Sequence, residues 1–133
     1  MKKFFVDTCI WLNLFKKEGD ASKGKPYFEI AKEFLLKFDT IFYSNLVLRE
    51  LQYILNNEDV FQEKKAFMKK EFHFVKVTEE AFARKIEAEC DLSFYDCLHI
   101  ATAHRLGCVL VTRDKDLIAF SKKHVSASKP EDL

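Results

Sequence analysis

The stretch Phe4-Phe5-Val6-Asp7-Thr8 decides how this chain is read. Three consecutive apolar residues without alternation suit a strand buried on both faces, the pattern of a central strand in a parallel sheet. The run stops at an aspartate. In an open parallel sheet, ligand sites form beyond the carboxyl ends of the strands. Asp7 is therefore a candidate functional residue from the outset. Its plain alternative role is to cap the helix that follows.

Outward from that strand the pattern alternates. Thr8 to Lys17 reads as a helix, with Ile10, Trp11, Leu14 and Phe15 available for burial. Glu18 to Pro26 is a loop, holding two of the three glycines and one of the two prolines. Tyr27 to Phe38 is a helix with Phe28, Ala31, Leu35 and Phe38 at helical spacing. Ile41-Phe42-Tyr43 is a second strand, and Ser44 caps a helix running to Leu55. A helix over Asp59 to Lys70 and a strand over Phe72 to Val77 follow. Thr78 is expected to cap a helix to about Cys90. Ser93 caps the next, which ends near Gly107 at a C′ position. Cys108 to Val111 is a fourth strand, Asp116 to Lys122 a short helix, and Val125 to Ala127 a weak edge strand. Alternating strands and helices indicate an α/β sandwich with a mostly parallel sheet of four to five strands flanked by helices. No repeat, linker or low-complexity tract interrupts residues 1–133, a length that fits one domain.

Charge excludes some classes. The chain has 22 basic and 21 acidic side chains, a net charge of +1, so it has no uniformly basic coat for nucleic acid. Contact with nucleic acid must come from a local patch or from bound cations. Lys64, Lys65, Lys69 and Lys70 form the densest basic cluster, whose default reading is a solvated helix face. No stretch is long enough to span a bilayer. Lys2 and Lys3 precede too short an apolar run for a signal peptide, so a cytoplasmic location is expected. Cys9, Cys90, Cys97 and Cys108 form no C-x-x-C pair and read as small apolar residues in a reducing compartment.

Four carboxylates stand out. Asp7 ends the first strand. Asp114 follows Val109-Leu110-Val111-Thr112-Arg113 and would lie on the same sheet edge, unless it is an ordinary turn aspartate. Glu50 lies on a helix whose apolar stripe is Leu46, Val47, Leu51 and Ile54; at 100° per residue it points between Leu46 and Val47, toward the core. An ionised carboxylate there needs a cation, a shared proton, or a buried Arg or Lys partner. Asp96 follows the cap Ser93 in a capping-box-like sequence, yet shares a face with Ile100 and Ala103 in a helix that is apolar almost all round. Such an oxygen-rich cluster selects hard divalent cations, magnesium or manganese. Without a cation it would repel both itself and a phosphodiester.

These residues carry a family resemblance. Val6-Asp7-Thr8 with Trp11-Leu12 resembles the opening motif of PIN domains. Ser44-Asn45-Leu46-Val47-Leu48-Arg49-Glu50-Leu51 resembles the second motif, Asp96-Cys97-Leu98-His99-Ile100-Ala101-Thr102-Ala103 the third, and Leu110-Val111-Thr112-Arg113-Asp114-Lys115-Asp116-Leu117 the fourth. They occur in family order across nearly the whole chain. The resemblance implies a PIN-like three-layer fold and a magnesium- or manganese-dependent endoribonuclease. It also implies that the chain is a VapC-type toxin, a dimer silenced by an antitoxin, or else an RNA-processing relative. By that resemblance Asp7, Asp96 and Asp114 bind metal and Glu50 completes the cluster, with Asp116 as a substitute for Asp114. Thr112 donates to a carboxylate or a metal-bound water, and Arg113 or Lys115 contacts the RNA backbone.

Two rival classes are weighed against it. A metal-binding scaffold without turnover would most simply show itself by a lost acid, and all four are present. A phosphohydrolase with an aspartyl nucleophile needs D-x-D after the first strand, and position 9 is Cys. The histidines receive no role: His99 and His104 are five apart and do not share a face as i, i+4 ligands would, His73 lies in a strand and His124 near the terminus. Cys97 has no evident base. Trp11, Phe15 and Phe28 are candidates for a dimer or antitoxin surface, against the plainer fate of core burial.

Overall fold

The Phe4–Val6 strand, β1, occupies the centre of a five-stranded sheet and is buried along its whole length. The computed structural model describes residues 2–19, 22 and 24–133. On one side of β1 lie β2 (Ile41–Ser44) and β3 (His73–Val75); on the other lie β4 (Val109–Val111) and β5 (Ala127–Ser128). All four pairings are parallel, with Phe4 opposite both Ile41 and Val109. The expected α/β class and parallel sheet are thus present.

Among the described residues seven α-helices accompany the strands: α1 (Thr8–Phe15), α2 (Tyr27–Lys37), α3 (Asn45–Leu55), α4 (Glu58–Glu71), α5 (Glu80–Glu87), α6 (Phe94–Leu106) and α7 (Lys115–Ser121). A 3-10 turn, Pro130–Asp132, closes the chain. Among the described residues no helix is long and apolar enough to cross a membrane. The core draws on both faces of the sheet, with Phe4, Phe5, Tyr43 and Leu110 packed against Trp11, Ile86 and Ile100. Trp11 is buried completely because its one polar atom is satisfied: Nε1 donates to the Val6 carbonyl at 3.1 Å. Phe15 and Phe28 are half-buried and line a groove of about 470 Å³ together with Leu14 and Phe67.

Several boundaries differ from the sequence reading. Part of the expected Glu18–Pro26 loop, residues 20, 21 and 23, lies outside the described residues. The stripe of α3 runs through Val47, Leu51 and Leu55, while Ile54 is 41% exposed; the stripe ends one residue later than the pattern suggested. Only His73–Val75 of the expected Phe72–Val77 strand is paired, because β3 is the edge of the sheet. The final strand is Ala127–Ser128 rather than Val125–Ala127. Thr78 does not cap α5. Its N–H and hydroxyl both donate to the Glu79 carboxylate, which is held from α6 by the Thr102 hydroxyl and by Arg105. α5 therefore starts only at Glu80 and ends at Glu87. α6 does end at Gly107, whose φ of 66° is the left-handed conformation that favours glycine.

Candidate active site

From β1 the chain moves to β2 and β3 on one side, then crosses to β4 and β5 on the other. The direction of travel therefore reverses between β1 and β4. The crevice beyond the carboxyl ends of two such strands is where open parallel sheets place ligands. Asp7 stands at the end of β1, and Thr112, Arg113 and Asp114 follow β4. The Asp7 N–H donates to the Val111 carbonyl at 2.9 Å, which locks the two strand ends together.

Asp7 is mostly buried, and both of its oxygens are engaged. Oδ1 accepts from the Thr8 N–H at 2.8 Å, so Asp7 caps α1. Oδ2 accepts from the Thr112 hydroxyl at 2.8 Å and from the Cys9 thiol at 3.3 Å. Burial and the Asp7 charge push the Cys9 thiol up to about 12. Cys9 therefore stays protonated and acts as a donor to Asp7, not as a nucleophile.

Glu50 reaches the same crevice from the second turn of α3, with its side chain 27% exposed. Its Oε1 accepts from the Thr8 hydroxyl at 3.1 Å and faces His99 Nε2 at 2.8 Å. The partner of this inward carboxylate is thus an imidazole and a hydroxyl, where sequence reasoning considered an Arg or Lys. His99 is fully buried on α6, and its Nε2 also lies 3.6 Å from Asp7 Oδ1. Burial opposes charge on this ring. The hydrogen bond to Glu50 and the charges of Asp7, Glu50 and Asp96 outweigh it and raise the His99 pKa above its ordinary value. His99 Nδ1 is buried and has no hydrogen-bond partner among the described residues.

Asp96 sits in the first turn of α6, half-buried, with its N–H capped by Ser93 Oγ at 3.1 Å. Its carboxyl is raised above the usual aspartate range, first by burial and then by the negative charge of Asp7, with Asp114 adding to it; His99 and Ser93 act in the opposite direction. Three aspartates from three parts of the sequence therefore act on one another electrostatically. Asp114 is the outermost of them. It is exposed and caps α7, with Oδ1 accepting from the N–H groups of Asp116 and Leu117 at 3.0 and 3.1 Å. Asp116 faces a separate shallow cavity of about 440 Å³, shared with Glu89, Cys90 and Asp91.

The two basic candidates have other surroundings. Arg113 donates to Asn13 Oδ1 and to the Glu131 carboxylate, each at 2.9 Å, and its guanidinium lies 3.9 Å from the centre of the Tyr27 ring. This side chain pins the C-terminal turn to α1 and α2. Lys115 is exposed at the start of α7, beside a shallow depression that also holds Lys122 and Lys129.

Thr8, His99 and Cys9 are site residues that the sequence reading left without a role. A usable signal existed for His99: it lies three residues after Asp96, on the same helical face. For Cys9 the only signal was its position two residues from Asp7.

The donors Asp7, Glu50, Asp96 and Asp114 are hard oxygen ligands, and the repulsion that raises Asp96 is what a divalent cation would relieve. Among the described residues, however, no three His, Cys, Asp or Glu side chains close around a single point.

A family model described as PIN domain matches residues 4–123. No curated protein is matched. Among solved structures, a toxin–antitoxin complex from Klebsiella pneumoniae contains a chain 19% identical to this one, with a TM-score of 0.73, covering 97% of this chain and 98% of that one. VapBC2 from Rickettsia felis, bound to a DNA fragment from its promoter, matches with a TM-score of 0.69 at 20% identity, covering 95% of this chain and 97% of its own. VapC20 from Mycobacterium tuberculosis, a toxin that cleaves the sarcin-ricin loop, gives a TM-score of 0.65 at 22% identity, covering 88% and 94%.

Proposed function

The chain belongs to the PIN domain family, and from that premise we propose that it is a metal-dependent endoribonuclease, the toxin of a toxin–antitoxin pair. The observation that carries this reading is the gathering of acids at the β1–β4 switch. Asp7 and Glu50 are tied through Thr8 and His99, and Asp96 and Asp114 are close enough to act electrostatically on one another. The toxin assignment rests on the nature of the similar structures, which are toxins or toxin–antitoxin complexes. An antitoxin partner, a homodimer and a cytoplasmic setting belong to the same proposal.

Asp7, Glu50, Asp96 and Asp114 would hold the ion. Magnesium or manganese supplies an activated water and positive charge beside the phosphate when bound. The protein groups then have distinct tasks. Thr112, Cys9 and the Thr8 N–H fix both oxygens of Asp7, so its orientation is set before substrate arrives. His99 and Thr8 do the same for Glu50 from one side, leaving its second oxygen for the crevice. Such supporting hydrogen bonds orient ligands and tune their basicity. Asp116 is a weaker fourth acid than Asp114, since it faces another cavity. Lys115 is the better of the two basic candidates for the RNA backbone, because Arg113 is committed to Asn13, Glu131 and Tyr27.

The test is incubation of single-stranded RNA with the protein and magnesium, with and without a chelator, beside an Asp7→Asn variant. Cleavage that survives chelation, or an undiminished variant, overturns the metal mechanism.

A further inference from the structure

One groove lies apart from the acid crevice. It measures about 580 Å³ and lies between α3, α4 and the edge strand β3. Arg49, Lys65 and Lys69 line it, and no carboxylate does. All three cations are exposed, and among the described residues none forms an ion pair or side-chain hydrogen bond. Glu58 accepts from the amides of Gln52 and Gln62, which line the groove, and also feels the charge of Lys65. In a chain of net charge +1, three cations and no carboxylate lining one groove are a marked local imbalance.

The same groove has an aromatic floor. Phe74 on β3 is 53% exposed, and its ring meets the buried Tyr43 ring edge-on at 5.5 Å, which holds it in place. A fixed aromatic face among free cations suits a ligand with both phosphates and flat bases. The groove shares two lining residues with a neighbouring one. Asn45 and Arg49 line a second groove of about 490 Å³ whose far wall includes Tyr95, the neighbour of Asp96. Arg49 itself precedes Glu50 on α3. A strand leaving the acid crevice past Tyr95 and Arg49 would enter the basic groove.

We propose that this groove carries a single-stranded segment of the RNA substrate, with Arg49, Lys65 and Lys69 on successive phosphates and Phe74 beneath a base. The proposal rests on the ribonuclease reading above and adds where the chain of the substrate runs. It also gives part of the lysine cluster in α4 a role beyond solvation.

The test is fluorescence anisotropy with a labelled 12-nucleotide single-stranded RNA in chelator, where cleavage is silent, over a range of salt concentrations. The variant Arg49→Gln/Lys65→Gln/Lys69→Gln should weaken binding about tenfold or more. Its plot of log affinity against log salt should be shallower by roughly two, since each single-strand phosphate contact contributes about 0.7. Phe74→Leu should weaken binding roughly 5- to 150-fold, the range of one lost stacking contact, with the salt slope unchanged. A control, Lys122→Gln/Lys123→Gln, should bind as the parent does. Parental affinity and slope in the triple variant overturn the proposal. So does loss of self-association in sedimentation with RNA binding intact, which would make the face an interface between copies. The nuclease reading is judged separately, by magnesium-dependent cleavage at saturating RNA: the triple variant should keep it with a raised KM. Parental protein that binds RNA through these residues yet never cleaves it would leave the groove standing and remove the nuclease.

Discussion

His99 Nε2 stands 2.8 Å from Glu50 Oε1 and 3.6 Å from Asp7 Oδ1, so one buried imidazole joins acids from α3 and from the end of β1. Replacing it with Phe keeps the ring volume and removes the polar link. We expect His99→Phe to lower kcat/KM by about 10- to 100-fold, the scale seen when a supporting partner of a metal ligand is lost. Magnesium affinity, measured by titrating activity against metal, should fall with it. A variant with parental metal affinity and rate would mean that Glu50 is held without His99.

Asp96 feels burial and two negative neighbours, which raises its carboxyl above the usual range. Ionised Asp96 therefore opposes folding in metal-free protein at neutral pH. Asp96→Asn should raise the Tm of metal-free protein by about 2–4 °C, the shift expected from relief of roughly 1 kcal/mol in a chain of this size. Magnesium should raise the Tm of the parent and have little effect on the variant. Differential scanning fluorimetry with and without metal reads both effects, and a destabilised variant would contradict the assignment.

Glu79 behaves in the opposite way. Burial raises its carboxyl, but the hydrogen bonds from Thr78 and Thr102 and the charge of Arg105 outweigh burial and hold it below the ordinary value. A depressed folded-state pKa contributes stability that is present above the unfolded value of about 4.3 and is lost as pH falls through the folded value. Glu79→Gln should therefore cost about 1–3 kcal/mol at pH 7. It should also flatten the loss of stability below about pH 4.5. Urea midpoints measured from pH 3 to 7 would show both.

Arg113 joins Asn13, Tyr27 and Glu131, three separate parts of the chain. Arg113→Ala should cost about 1–3 kcal/mol, because it removes charge-assisted hydrogen bonds to partly buried partners. It should also speed hydrogen exchange at residues 129–133. The KM for RNA should stay close to that of the parent. A raised KM with unchanged stability would return Arg113 to the RNA-contact role considered from sequence.

How much of this was legible in the sequence differs residue by residue. The central strand was legible because Phe4-Phe5-Val6 has no polar residue to expose, and a short apolar run that stops at an aspartate suits a covered strand. Glu50 was legible as inward-facing because helical periodicity fixes direction. Its partner was not, because His99 is distant in sequence and only the packing of α6 against the sheet brings the two together. Thr8 was hidden for the same reason, since it meets Glu50 only because β2 pairs beside β1, whereas the bond from Cys9 to Asp7 is local and no sequence pattern marks it. The Thr78 boundary was misread because a local capping preference lost to a tertiary one, the pull of Thr102 and Arg105 on Glu79. Asp114 reads both ways in the structure as it does in the sequence. One of its oxygens caps α7, while its charge still acts on Asp96.

The central claim is that the acid crevice hydrolyses RNA through a metal-activated water. Mapping the ends of fragments from single-stranded RNA cut in magnesium tests it most directly. Attack by such a water leaves a 5′-phosphate and a 3′-hydroxyl, and chelator should abolish both fragments. Fragments ending in a 2′,3′-cyclic phosphate and a 5′-hydroxyl, formed equally well in chelator, would instead indicate attack by the RNA's own 2′-hydroxyl and contradict the account.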